Sequence, residues 1–245
     1  MVGLAGQRAG AVPATLHAPT ALATRVREAA AASVEVPTPG RVERPARHLL
    51  ARIERGTELT ARPGGGRIVG TMPRGSRFYG TPIVAWVLEV SDDGRYGRVP
   101  VPYATRGSTG WLPIRGLAIS ATRVSVVADL SRHVIVVRRG DRVLFRAPAA
   151  TGASASPTPT GRYFVTDRVP FVGGGVLGTF AFGLSGIQTR LPAGWTGGDQ
   201  LAIHGTSAPS TIGRSASAGC LRVSERVLEW LKPLLRLGTP VIVRP

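Results

Sequence analysis

A single cysteine, Cys220, and four histidines occur in the 245 residues. A thiolate is a strong nucleophile, but an ordinary thiol is mostly protonated at neutral pH. A catalytic cysteine therefore needs a base or a positive neighbour. Without such neighbours a lone cysteine reads as a small buried apolar residue. Of the histidines, His17 lies near the N-terminus, His48 begins the first strand-rich stretch and His133 opens an apolar run. His204 alone closes an apolar run, Leu201-Ala202-Ile203, directly before a glycine. That pattern sets an imidazole at a strand edge facing a loop. Cys220 follows a Ser- and Gly-rich loop and stands directly behind Gly219. Folding back of that loop brings base and nucleophile within hydrogen-bond reach. Gly219 has no side chain, so the amides of Gly219 and Cys220 are candidate oxyanion donors for a tetrahedral intermediate. Arg222 adds a permanent charge that favours the thiolate or holds a substrate carboxylate, with a structural ion pair as the alternative. A Cys220 activated in this way is expected to alkylate quickly below neutral pH.

The elements around these residues read as strands. Residues 124–128, 133–137 and 143–147 are apolar runs separated by turn residues, with Arg138-Arg139-Gly140-Asp141 as a hairpin turn. Ser224 is an N-cap candidate for the one good helix, running to about Leu237 with a kink or break at Pro233 and a stop at Gly238. The stretch from Phe171 to Gly198 carries Gly173 to Gly175, Gly194, Gly197 and Gly198 as hinges. It reads as a lid with Trp195 as an aromatic cover, or with Trp195 in the core. Upstream, residues 47–120 form a small all-β domain with turn signals at Gly64-Gly65-Gly66, Pro73-Arg74-Gly75 and Asp92-Asp93-Gly94. Residues 1–46 read as a flexible tail and linker, rich in small residues and then in proline.

Composition bounds the functions open to the chain. The formal net charge is +17, carried almost wholly by arginine, with Lys232 the only lysine. Such a bias follows from codon usage alone or from an anionic partner. The arginines are scattered and no dense basic run is interleaved with aromatics, so nucleic acid is not the expected partner. One cysteine excludes an intrachain disulfide and a thiolate metal site, and no metal or cofactor is expected. No uncharged apolar run is long enough for a transmembrane helix. The first residues show no clean charged-then-apolar leader.

His204-Gly205-Thr206, Ile212-Gly213, Ser217-Ala218-Gly219-Cys220-Leu221-Arg222 and Gly238-Thr239-Pro240-Val241 together resemble the signature of the L,D-transpeptidase catalytic (YkuD-type) family. Thr151-Gly152, Pro157-Thr158-Pro159 and Gly161 fall in the family's usual order. The resemblance covers residues 121–245. Residues 69–76, 86–88 and 110–113 resemble a bacterial SH3-like module, in which Trp86 and Trp111 form either an aromatic groove or core. The resemblance implies a mainly β fold: a C-terminal β-sandwich with one or two short helices, preceded by a small SH3-like β-barrel. It implies peptidoglycan stem peptides as donor and acceptor, an anionic cell envelope as surroundings and an extracytoplasmic location. By the same resemblance Cys220 is the nucleophile and His204 the base, oriented by the Gly205 carbonyl, with Gly219 beside the oxyanion. Arg222, Ser217, Thr206 and Trp195 are candidate substrate contacts. L,D-carboxypeptidase activity and non-catalytic wall binding are the rival readings. Many family members carry His where this chain has Ala218, which puts any auxiliary role of that second imidazole in doubt.

Overall fold

A computed structural model describes residues 47–104 and 107–245. The tail expected over residues 1–46 lies outside the described residues. The N-terminal stretch supplies β1 (His48–Arg52), β2 (Thr57–Arg62), β3 (Gly65–Met72), β4 (Val84–Val87), β5 (Glu89–Val90), β6 (Tyr96–Pro100), β7 (Thr109–Pro113) and β8 (Ile119–Thr122). These form two antiparallel sheets, ordered β4-β1-β8 and β3-β2-β7-β6-β5.

The remaining strands are β9 (Val124–Asp129), β10 (Val134–Arg139), β11 (Arg142–Pro148), β12 (Thr151–Gly152), β13 (Gly161–Pro170), β14 (Phe180–Ile187), β15 (Gln200–His204), β16 (Ser215–Ser217), β17 (Leu221–Arg222) and β18 (Pro240–Arg244). Eight of them build one sheet in the order β11-β10-β9-β18-β13-β14-β15-β17, while β12 and β16 pair separately. The β9–β18 and β15–β17 pairs are parallel. The 138–141 hairpin forms as expected, with Gly140 at φ +61°.

Side chains alternate across a strand, and here the alternation fills two cores. Tyr163 and Val165 of β13 and Val241 and Val243 of β18 enter a core shared with α1, residues Glu225–Leu231. Phe164, between them, enters the core of the N-terminal sheets with Leu59, Met72, Ile83 and Leu112, and Ile242 packs against that same core. Strands buried on both faces read as continuous apolar runs, as Val241-Ile242-Val243 does. Residues 47–245 fall in one compact unit.

Helix α1 is shorter than its sequence pattern. Ser224 caps it, its hydroxyl accepting from Val227 N at 3.3 Å, and Val227, Leu228 and Leu231 are buried. The helix ends before Pro233, which has no N–H and whose ring clashes with the carbonyl four residues back. The chain continues in turns, with Leu234 N and Leu235 N both donating to the Leu231 carbonyl. Strand β2 was not evident in the sequence, because Leu59 is its one fully buried apolar residue.

Candidate active site

Strands β14, β15 and β17 carry the residues with reactive chemistry. In the parallel β15–β17 pair, His204 is opposite Arg222 and Ile203 is opposite Leu221. In the antiparallel β14–β15 pair, Ala181 is opposite His204 and Gly183 is opposite Ala202. Ile203, Leu221 and Phe182 point into the core. Alternation therefore sends Ala181, Gly183, Ala202, His204, Cys220 and Arg222 to the other face, where all six line one cleft of about 690 Å³. The small residues at 181, 183 and 202 leave the floor open.

His204 is 3% exposed and its Nδ1 lies 2.6 Å from the Gly205 carbonyl oxygen. A carbonyl only accepts, so Nδ1 carries the proton and Nε2 keeps its lone pair. Burial pulls the imidazole pKa down to about 4; the Gly205 carbonyl opposes this shift and the Arg222 charge adds to it. The ring is therefore neutral at pH 7. Gly205 has no room for a side chain, since a Cβ would strike the Glu225 carboxylate. Glu225 in turn accepts hydrogen bonds from Thr179 N and Oγ1.

Cys220 sits in a turn tied by Ser217. The Ser217 hydroxyl donates to the Cys220 carbonyl at 2.6 Å and accepts from Gly219 N at 3.0 Å. Gly219 has φ +122°, and a Cβ there would collide with the Gln188 side chain. Gln188 is itself anchored, donating to the carbonyls of Ser156 and Pro157. The thiol points along the β15 edge and donates to the Gln200 carbonyl at 3.7 Å. Burial raises its pKa, while the Ala202 amide and the Arg222 charge act in the opposite direction. No hydrogen bond joins Sγ to the imidazole among the described residues. The resting pair is thus a neutral thiol and a neutral imidazole. The expectation of fast alkylation below neutral pH does not follow from this environment, because burial disfavours the thiolate.

The other candidates separate. Arg222 and Trp195 line the cleft, as does Ala218. Arg222 has no carboxylate partner among the described residues, and its Nε is buried without an acceptor. Trp195 is 43% exposed and donates its indole N–H to the Gly198 carbonyl at 2.6 Å. Ser217 and Thr206 do not line the cleft. Both hydroxyls serve local turns, Thr206 Oγ1 accepting from Ala208 N at 3.0 Å. The Gly219 amide is likewise engaged by Ser217, whereas the Cys220 amide has no acceptor among the described residues. No group of three or more His, Cys, Asp or Glu side chains suited to a metal comes together among the described residues.

Residues 123–243 match the family model of the L,D-transpeptidase catalytic domain, YkuD. This segment, just under half of the chain, is similar to the YkuD family. The YkuD proteins of Bacillus licheniformis and Bacillus subtilis are similar to it, at 28% identity over 120 residues and 25% over 118 residues. The matched regions take up 49% and 48% of this chain, and 65% and 64% of those relatives. Similar solved structures include an L,D-transpeptidase from Mycobacterium smegmatis, 16% identical with a TM-score of 0.41. L,D-transpeptidase 3 from Mycobacterium tuberculosis is 19% identical with a TM-score of 0.42. Each alignment covers 67% of this chain and 92% of the other. His204 and Cys220 both fall inside the YkuD segment. Phe78 and Tyr79, which line the same cleft, fall outside it.

Proposed function

We propose that the chain is a peptidoglycan L,D-transpeptidase in which Cys220 is the nucleophile and His204 the base. The observation that carries this reading is the placement of both side chains on one face of adjacent strands, at one cleft, within a YkuD segment. On this reading residues 121–245 are the catalytic unit and residues 47–120 an accessory SH3-like unit, acting at the anionic cell envelope.

The proposed reaction starts from the neutral pair. When a donor stem peptide enters, the thiol leaves the Gln200 carbonyl and turns toward His204. Nε2 takes the thiol proton as sulfur attacks the carbonyl between a diamino acid's L-centre and the terminal D-residue. The Gly205 carbonyl holds the Nδ1 proton and steadies the imidazolium while it exists. The free Cys220 amide is the oxyanion donor of this scheme, since the Gly219 amide is already bonded. The C–N bond then breaks, and the imidazolium returns its proton to the departing amine, leaving a thioester. An acceptor amine attacks that thioester, His204 takes a proton from the amine, and the new amide releases the Cys220 thiol. Arg222 favours the developing thiolate.

The test is intact-protein mass spectrometry with a tetrapeptide stem. The wild type should gain the donor mass less one D-amino acid, and Cys220→Ala should gain nothing. A mass gain that persists in Cys220→Ala would remove the nucleophile assignment. With an acceptor present, the product separates transfer from hydrolysis: a cross-linked peptide against a free tripeptide.

A further inference from the structure

The loop from Arg74 to Gly80 connects strands of the N-terminal sheets, yet Phe78 and Tyr79 line the cleft that holds Cys220. They are 53% and 56% exposed. Large aromatic side chains left in water at the mouth of a cleft mark a surface that a ligand covers. Trp195, which is also exposed, lines the same cleft, and Arg222 adds to the lining a positive charge without a carboxylate partner among the described residues.

The loop is tied to the strand that carries the candidate base. Ser76 donates to Asp167, a fully buried carboxylate on β13. Gln200 Nε2 donates to the other oxygen of Asp167 at 3.2 Å, and the Gln200 main-chain carbonyl accepts the Cys220 thiol. Arg77 grips Asp199 through both carboxylate oxygens, at 2.9 and 3.0 Å. Within the loop, Ser76 N donates to the Thr81 carbonyl and Gly80 N to the Ser76 carbonyl. A Cβ at Gly75 would come within 2.9 Å of the Gly80 carbonyl. One buried carboxylate thus joins the loop to the start of β15 at Gln200, the residue whose own carbonyl accepts the thiol.

From this geometry we propose that the Arg74–Gly80 loop is a fixed jaw of the cleft. Phe78 and Tyr79 grip the donor stem peptide against Trp195, with a peptide carboxylate directed to Arg222. The inference rests on the function proposed above for its ligand. Charge and shape argue for that occupant: a cation in the lining without a carboxylate partner among the described residues selects an anionic ligand, and aromatic walls select a chain with apolar stems rather than a bare ion.

The experiment is a calorimetric titration of the full chain carrying Cys220→Ala with the tetrapeptide stem. Adding Phe78→Ala and Tyr79→Ala together should weaken binding by about tenfold or more, from the apolar contact area removed. Phe78→Tyr with Tyr79→Phe should restore it to within about threefold, the aromatic faces being kept. The thermal midpoint should not change, nor should the rate of Cys220 labelling by iodoacetamide, a reagent too small to need a jaw, when the same aromatic variants are made in the chain that keeps Cys220. An unchanged affinity in the double-alanine variant overturns the jaw, as does a parallel fall in thermal midpoint or labelling. Absence of binding to the Cys220→Ala parent also overturns it. If the parent binds, the double variant does not and the wild type forms no acyl-enzyme, the jaw stands and the transpeptidase reading fails.

Discussion

His204 is held in one tautomer by a carbonyl and kept neutral by burial, and both facts have consequences in pH. Its native pKa of about 4 lies below the ordinary value of 6.5. Between these values the unfolded chain binds a proton that the native chain does not. Stability should therefore rise as pH increases from about 4 to 6.5, and fall as pH drops through that window. The full effect is about 3 kcal/mol. Urea unfolding at pH 4.5 and 7 should show it, and His204→Asn should flatten the difference. Cys220 moves the other way, its thiol pKa being raised. Iodoacetamide labelling in the free protein should therefore accelerate with pH on the alkaline side of neutrality, with no fast phase at pH 6. A fast phase at pH 6 would mean that the thiolate–imidazolium pair exists before substrate binds. The sequence singles out His204 because it closes an apolar run directly before a glycine, and Cys220 because it stands behind Gly219 after a Ser- and Gly-rich loop. The engagement of the Gly219 amide was not legible there, since Ser217 is a plain serine until the turn closes around it. Asp167 was invisible for a different reason. Its partner Ser76 lies 91 residues away, and no local pattern distinguishes a buried carboxylate from a solvated one.

At the scale of elements, the turn from Ser217 to Cys220 is the part most sensitive to single substitutions. Gly219 combines a positive φ with contact against Gln188. Gly219→Ala should cost about 1–3 kcal/mol from backbone strain, with the Gln188 collision in addition. Gly213→Ala, also at positive φ but with open space around its Cα, should show the backbone part alone. Chemical denaturation of the two variants separates these contributions. Ser217→Ala should remove both bonds of the turn and cost about 1–3 kcal/mol, the expected effect of leaving buried polar partners unpaired. The strands that flank this turn, β16 and β17, were not evident in the sequence, because three and two residues are too few for alternation to show. The helix does not run its full pattern, because Pro233 withdraws a donor where the pattern of leucines continues.

At the scale of the whole molecule, the two sets of sheets share β13 and β18 rather than meeting through a linker. Phe164 is fully buried in the N-terminal core, although its strand belongs to the YkuD segment. Phe164→Ala should cost about 3–5 kcal/mol. It should lower a single unfolding transition rather than one of two, as calorimetry would show. The boundary expected near residue 120 rests on turn signals and a change in sequence pattern, while residues 47–245 fall in one compact unit. The cross-packing was not legible, because Tyr163-Phe164-Val165 reads as one apolar run whichever neighbours it finds. A two-sided strand also fixes its own alignment. Sliding β13 by one residue along its neighbours would send Phe164 and Asp167 into the core now filled by Tyr163 and Val165. The same slip would carry those two toward the N-terminal sheets. Neither core tolerates the exchange, so each half of the molecule proofreads the strand pairing of the other.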